Sequence, residues 1–222
     1  MLKNKTESSL HRSLKFQYSA AGTTETQIGD YVCDGLSDRG EIIEVQLGNF
    51  SPLREKVKSL LKKNKVRIIY PVIIQKQIEL YDTNGKLISK RKSPRKGTIW
   101  DVFKALVFAP EFPLLKKLTI ELALVDVLER RVNDGKGSWR RKGVSVQDRF
   151  LERRRESIVL KSLKDYNQFL PFTKKECFTI KDLAKKASIK PDIARKAVSV
   201  LCKIGLVEQA GKQGRAYVYR RH

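Results

Sequence analysis

The chain has 222 residues, 41% hydrophobic and 32% charged, which suffices for the core of one large or two small soluble domains. Its 47 Lys and Arg residues against 24 Asp and Glu give a net charge of +23, which favours a polyanionic partner, most often nucleic acid. No apolar run approaches about 18 residues and the N-terminus has no signal-type apolar core, so neither a membrane span nor export is predicted.

The cysteines argue against a metal framework built on sulfur. Cys33, Cys177 and Cys202 are odd in number and form no CxxC pair, and the only histidines are His11 and His222. A zinc site or a disulfide framework is therefore not predicted, and a reducing cytoplasm is the expected compartment.

The N-terminal two thirds predicts a mixed sheet with helices on its faces. Leu10, Leu14 and Tyr18 form a helical stripe, and residues 26–35 and 41–47 predict two strands of a hairpin across a turn at 37–40. A Ser-Pro start predicts a helix over residues 51–63, and the apolar run 66–75 suits a buried strand. A hairpin around Asn84-Gly85, a helix over 98–108 and a strand over 117–132 follow.

The predicted hairpin carries acidic residues within its apolar arms. Side chains alternate along a strand, so Glu44 and Gln46 share one face. With the turn centred on Asp38-Arg39, Asp34 is expected almost directly across from Ile43 and diagonal to Glu44. Two carboxylates this close repel each other unless a cation lies between them, and hard oxygen ligands suit Mg²⁺ or Mn²⁺. Such an ion can activate water against a phosphodiester.

Glu7 is a candidate fourth member of this group. It lies three residues before Leu10 and seven before Leu14, so a helix containing it would direct it along the buried stripe. An acid on the apolar side of a helix is unusual. The alternative is an acid near a helix start that favours the helix dipole.

The order of these elements resembles the PD-(D/E)XK nuclease superfamily over roughly residues 5–80. It consists of an acidic residue on a helix, an Asp on a strand, a turn, a Glu-x-Gln motif, a helix and a further strand. The resemblance implies a restriction-endonuclease-like αβββαβ core that binds Mg²⁺ for phosphodiester cleavage. It implies Asp34 and Glu44 as metal ligands and Glu7 as the accessory acid. Gln46 stands where the family usually has Lys, which keeps open a degenerate, non-catalytic fold. An acidic hairpin with incidental carboxylates is the structural alternative.

Two basic segments are candidate phosphate contacts. The first, residues 89–98, contains Arg91, Lys92, Arg95 and Lys96; the second contains Arg140, Arg141 and Lys142 beside Trp139, whose ring could stack. Either segment could instead be a solvated loop.

The charge and pattern change after residue 137, where a glycine-rich basic stretch begins. Residues 138–222 hold 22 Lys and Arg against 8 Asp and Glu, a net of +14, whereas residues 1–137 hold 25 against 16, a net of +9. We therefore expect a nuclease-like domain over 1–137 that folds by itself, a basic linker or helix over 138–155 and a second domain over 156–222. Residues 147–170 are predicted to be helical.

The last 45 residues predict a helix after Thr179, a turn, a second helix opened by Pro191, and a hairpin. This order resembles the winged helix-turn-helix family over residues 156–221, which implies that the helix over 191–204 enters the DNA major groove while the hairpin touches the backbone. Some winged helices bind protein instead. The candidate DNA contacts are Lys190, Arg195, Lys196, Ser199, Lys203, Lys212 and Arg215.

Together these features predict a cytoplasmic, metal-dependent DNA endonuclease acting on duplex or branched DNA. The rival hypothesis is a DNA-binding regulator with a degenerate nuclease fold, and an RNA-processing nuclease would use the same core. The sequence leaves open whether the chain forms a homodimer.

Overall fold

The computed structural model describes residues 7–222, which form a mixed α/β protein with a sheet flanked by helices. It divides into two compact units that are both discontinuous along the chain. The first contains the described residues through Leu47, together with Pro71–Thr98 and Ala123–Ile158. The second contains Gly48–Tyr70, Ile99–Leu122 and Val159–His222. No helix within residues 7–222 combines the length and apolar character needed to cross a membrane.

The first unit begins with the predicted helix and a set of short strands. Helix α1 (Ser9–Tyr18) buries Leu10 and Leu14 as its periodicity predicts. The strand predicted over residues 26–35 is wrong as a single element, because Gly29 adopts φ 58° and turns the chain. The result is a small hairpin of β1 (Thr26–Ile28) and β2 (Tyr31–Cys33), followed by β3 (Gly35–Leu36), which pairs with β4 (Ile42–Val45).

The register of the β3–β4 hairpin differs by one residue from the prediction. Gly35, rather than Asp34, lies opposite Ile43, and Leu36 lies opposite Ile42. The turn closes with the Ser37 N–H donating to the Glu41 carbonyl at 2.9 Å, so it spans more residues than a tight turn centred on Asp38-Arg39. This register brings Asp34 level with Glu44.

Gly35 lets this hairpin approach the C-terminal end of α1 closely. A Cβ at residue 35 would lie 1.9 Å from Ser19 Oγ and 2.7 Å from Ser19 Cβ. We therefore expect Gly35→Ala to lower the free energy of unfolding by about 1–3 kcal/mol, since the helix end must move. Urea unfolding measures the loss, with Asp38→Ala in the exposed turn as the control. An unchanged midpoint for Gly35→Ala would show that the helix end yields freely.

The long strands are β5 (Val66–Tyr81), β6 (Leu87–Lys92), β7 (Leu118–Val132) and β8 (Ser145–Leu160). The sheet order is β3-β4-β5-β7-β8, and β6 pairs with β5 in the predicted hairpin, where Gly85 adopts φ 82°. The divisions between the compact units fall within β5, β7 and β8. Strand β8 neighbours β7 and begins after residue 137, so the sheet continues past the predicted domain boundary.

The helix predicted over residues 147–170, part of the predicted linker or helix, is wrong. Strand β8 occupies residues 145–160, and a 3-10 helix, Leu163–Phe169, follows it. Its many Glu, Arg and Leu residues have good helix propensity, but pairing with β7 overrides that weak preference. Arg155 of β8 makes a bidentate ion pair with Asp126 of β7, with Nη2 2.8 Å from Oδ2.

The second unit contains α2 (Arg54–Leu60), α3 (Phe103–Leu106), α4 (Ile180–Lys186) and α5 (Pro191–Lys203). Its three-stranded sheet has the order β10-β11-β9, from β9 (Cys177–Phe178), β10 (Val207–Gln213) and β11 (Ala216–Arg221). Thr179 caps α4 in a reciprocal capping box with Asp182, and Pro191 opens α5. The two predicted C-terminal helices and their hairpin are confirmed.

Candidate functional site

The predicted site residue Asp34 contacts the backbone of Val45 beside His11 of helix α1. The Val45 N–H donates to Asp34 Oδ2 at 2.7 Å, and the Val45 carbonyl accepts from His11 Nε2 at 2.8 Å. His11 Nε2 also lies 3.5 Å from Asp34 Oδ2. Helix α1 and strand β4 therefore bring residues 11, 34 and 45 to one place, which we call the Val45 site.

Glu7 joins the Val45 site through His11. Its Oε1 contacts His11 Nδ1, and the other ring nitrogen donates to the Val45 carbonyl. Glu7 precedes the N-cap Ser8, so its predicted position within the helix is wrong. A side chain so close to the cap faces the first helical turn, where His11 lies.

Lys15 is a buried cation one turn further along α1. Only 6% of the residue is exposed, and Nζ lies 2.9 Å from Glu7 Oε1 while also contacting Glu25. Burial tends to lower the pKa of Lys15, but hydrogen bonds to Glu25 and Glu7 outweigh it and raise the pKa above its usual value. Burial likewise tends to raise the pKa of Glu7, but the hydrogen bonds from Lys15 and His11 lower it overall. Both side chains are therefore charged at neutral pH.

Glu44 and Gln46 flank Val45 along the chain. All four residues of β4 are buried, and Glu44 is 4% exposed, whereas Gln46 is half-buried. A buried carboxylate is rare because ionisation away from water is costly without compensation. Strand β4 ends at Val45, so Gln46 follows the strand directly and the shared face of Glu44 and Gln46 stays a prediction.

The Val45 site has the ligand chemistry for a hard cation but lacks a preformed cage. Asp34 directs Oδ2 to the Val45 amide, and Oδ1 makes no hydrogen bond or ion pair within the described chain. Carboxylates from Asp34 and Glu44, with the Gln46 amide oxygen, are ligands that Mg²⁺ or Mn²⁺ accepts. Across residues 7–222, however, no three or more His, Cys, Asp and Glu side chains are grouped so as to hold a metal ion.

The basic candidates of the first unit are on its surface. Arg91 and Lys92 are exposed on β6, and Arg95 and Lys96 are exposed in the segment that follows it. The other three are also exposed. Arg140 and Arg141 belong to the 3-10 turn Trp139–Arg141, and Lys142 is its left-handed cap.

The basic candidates of the second unit are mostly exposed on α5 and the β10–β11 hairpin. Lys190, Arg195, Ser199 and Lys203 are exposed, whereas the half-buried Lys196 forms an ion pair with Asp192 one turn before it. In the hairpin Lys212 Nζ lies 5.0 Å from the ring centroid of Tyr217, and Arg215 is exposed at the turn. Five of these seven side chains are thus available to phosphate without breaking an ion pair or a cation–π contact.

Sequence reasoning missed His11 and Lys15, which hold Glu7 beside the Val45 site. Each follows a residue of the buried stripe by one position, and that spacing is the only sequence signal that could have marked them. It also missed Glu129 on β7, which is 1% exposed and forms ion pairs with Lys76, Arg131 and Arg149.

Comparisons with known proteins identify relatives by sequence. A family model described as "Domain of unknown function (DUF8091)" matches residues 8–161, more than half of the chain. A Treponema pallidum (strain Nichols) protein described as uncharacterized is 27% identical over 216 residues, covering 97% of this chain and 85% of that protein. No solved structure matches the chain.

Proposed function

We propose a function for this chain, which belongs to the DUF8091 family: it is a metal-dependent DNA endonuclease with a restriction-endonuclease-like core and a C-terminal winged helix that binds the duplex. The observation that carries the proposal is the convergence at the Val45 site. Glu7 and Asp34 are 27 positions apart, yet contacts to His11 and to the Val45 peptide hold both at the end of β4, the strand that contains the buried Glu44.

Asp34 and Glu44 are the residues that would hold the metal ion. When bound, a divalent ion supplies an activated water and neutralises charge that develops on the phosphodiester. The donor set fits such an ion because Asp34 Oδ1 has no protein partner within the described chain and Glu44 is a second hard ligand. Gln46 offers an amide oxygen and two N–H donors to the phosphate, but no charge.

The residues of α1 position these ligands. The His11 imidazole bridges Glu7 to Asp34 and the Val45 carbonyl, so it fixes the end of β4 against the helix. Lys15 keeps Glu7 ionised and brings a positive charge to the site, which compensates in part for the absence of Lys at position 46.

The most direct test of the proposal is DNA cleavage. Full-length protein incubated with supercoiled plasmid is expected to nick or linearise it with Mg²⁺ or Mn²⁺ and to leave it intact with a chelator. Failure to cut any form of DNA with either metal would contradict the proposal, and cutting of RNA alone would redirect it to RNA processing.

The winged-helix assignment rests on the order of elements in the second unit. The chain runs β9, α4, α5, β10 and β11, with β11 in the middle of the three strands. Helix α5 buries Ile193, Ala197 and Leu201 and exposes Arg195 and Ser199 on its other side. This is the arrangement that a DNA-reading helix requires.

Arg195→Glu is expected to weaken duplex binding at least about tenfold and to lower the slope of log K against log salt concentration by about 1, because a phosphate contact is lost. Fluorescence anisotropy at several salt concentrations measures both. Lys174→Glu is the matched control, since Lys174 is also an exposed cation of the second unit but lies outside α5 and the hairpin. Equal losses in both variants would mean that only total charge matters and that α5 does not read DNA.

A second candidate function is a DNA-binding regulator with a degenerate nuclease fold. One observation favours it: Glu7 and Asp34 already have partners within the protein, since Lys15 pairs with Glu7 and His11 lies 3.5 Å from Asp34. Isothermal titration calorimetry with Mn²⁺ separates the two functions. The endonuclease should bind Mn²⁺ at a site that Asp34→Asn removes, whereas the regulator should have no such site.

A further inference from the structure

The first unit contains a second cationic feature that the endonuclease proposal does not use. It is a cavity of about 290 Å³ beside strands β5 and β6, and we call it the basic pocket. This volume is at the small end of ligand sites, which run from about 300 to 1,000 Å³, and suits one nucleotide-sized group. Five cations line it: Arg91, Arg131, Arg140, Arg141 and Lys142.

The charge of the basic pocket is largely uncompensated. Arg131 is held by Glu129, with Nε 2.8 Å from Oε1. Within residues 7–222, the other four cations have no carboxylate at ion-pair distance, and no acidic side chain lines the cavity. Unpaired cations around a concave site attract an anion with several oxygens, and the planar guanidinium groups favour phosphate.

The walls of the pocket are apolar where they meet the sheet. Ile78, Leu80 and Val144 line the cavity together with the cations. In the β5–β6 register Ile78 lies opposite Arg91, which places a cation at the edge of an apolar surface. An apolar floor with a cationic rim fits a ligand that has both a flat apolar part and a phosphate.

The segment that supplies three of the cations is a closed turn. The Gly137 N–H donates to the Gly143 carbonyl at 2.7 Å, and Arg141 Nε donates to the Val144 carbonyl at 3.1 Å. A Cβ at residue 137 would lie 1.9 Å from the Val144 carbonyl oxygen, so the approach requires glycine. These contacts make the turn a preorganised binding element, which lowers the entropy lost on binding.

Trp139 at this turn is 83% exposed, and the Arg140 guanidinium lies 5.6 Å from its ring centroid. An indole ring this exposed gains by stacking on another flat ring, and nucleobases stack on aromatic side chains irrespective of sequence. A base within a duplex has both faces covered by its neighbours, so Trp139 can reach only an unpaired base.

We propose that the basic pocket and Trp139 form a site for unpaired nucleotides, with a backbone phosphate among the arginines and a base on the indole. The substrate class is therefore DNA with a single-stranded end, flap or bulge. The proposal rests on the proposed function only in taking nucleic acid as the partner, since it requires no cleavage.

The test is tryptophan fluorescence of the full-length protein in chelator, titrated with oligothymidylate or with a duplex of equal length. Of the two tryptophans Trp100 is 8% exposed and Trp139 83%, so a stacked base quenches Trp139. We expect quenching by the single strand and little by the duplex. Trp139→Ala should weaken single-strand binding at least about fivefold by anisotropy, whereas Trp139→Phe should retain it within about twofold.

Charge variants complete the test. Arg91→Glu should also weaken single-strand binding, whereas Lys86→Glu, in the turn of the same hairpin and outside the pocket, should not. Equal emission changes with both DNA forms, or a response only to vesicles containing phosphatidylserine, would overturn the proposal. Cleavage of fully paired DNA by Lys86→Glu is expected to match wild type, and the fluorescence titration in chelator requires no cleavage, so failure of the nuclease proposal and failure of this one are distinguishable.

Discussion

Glu44→Gln is expected to abolish measurable DNA cleavage while leaving DNA binding within about twofold of wild type. The substitution keeps the shape of a 4% exposed side chain but removes one of two anionic ligands proposed for the metal. A bound ion supplies several kcal/mol of charge stabilisation, and each 1.36 kcal/mol is tenfold in rate, so a loss on the order of 10³-fold is expected. A nicking assay with Mg²⁺ and anisotropy on the same duplex measure the two effects.

Asp38→Asn is the matched control for this prediction. Asp38 belongs to the same hairpin but is exposed in its turn, away from the Val45 site. The Asp38→Asn variant should cut DNA at the wild-type rate. Thermal unfolding of Glu44→Gln must remain cooperative and near the wild-type midpoint for the result to count. A well-folded Glu44→Gln that cuts at the wild-type rate would place the chemistry elsewhere.

Much of the fold could be predicted from periodicity because several elements bury one clear face. The stripe of Leu10, Leu14 and Tyr18 marked α1, and the apolar run starting at Val66 marked β5. Caps added the boundaries: Thr179 and Pro191 each begin a helix where the sequence predicted one. These features depend on local residues alone.

Strand β8 could not be predicted because its stability depends on a neighbour distant in sequence. Its residues have no alternating apolar pattern, and charged side chains such as Arg155 are held by partners on β7, 29 positions earlier. Local propensity favours a helix there, and only pairing with β7 decides otherwise. The exact register of the β3–β4 hairpin could not be predicted for a similar reason, because the close approach of Ser19 to Gly35 constrains it.

The candidate site was predictable only in part for the same reason. Glu7, Asp34 and Glu44 were marked by residue type, but the connection between Glu7 and Asp34 passes through His11 and the Val45 peptide. Backbone hydrogen bonds of this kind leave no trace in spacing. The buried Lys15 resembles any other lysine of a basic chain until the position of Glu25 is known.

Glu129→Gln is expected to lower the free energy of unfolding by about 3 kcal/mol at pH 7. Glu129 is 1% exposed, and Lys76, Arg131 and Arg149 surround it with nitrogens 3.3, 2.5 and 2.8 Å away. Burial tends to raise the pKa of Glu129, but the hydrogen bonds from Arg149 and Arg131 and the charge of Lys76 lower it to about 2. Removing the anion leaves three cations facing each other without compensation.

The pH dependence of this effect follows from the lowered pKa. Because the folded pKa of about 2 lies below the ordinary value of 4.5, the stabilisation is complete above about pH 4.5 and is lost as the pH falls through 2. The difference between wild type and Glu129→Gln should therefore shrink as the pH falls and vanish below about pH 2, where Glu129 becomes protonated and neutral in the folded protein as well. Urea midpoints across this range measure it, with the exposed Glu156→Gln on β8 as control. A difference that persisted undiminished at the acid end would mean that Glu129 acts through packing and not through its charge.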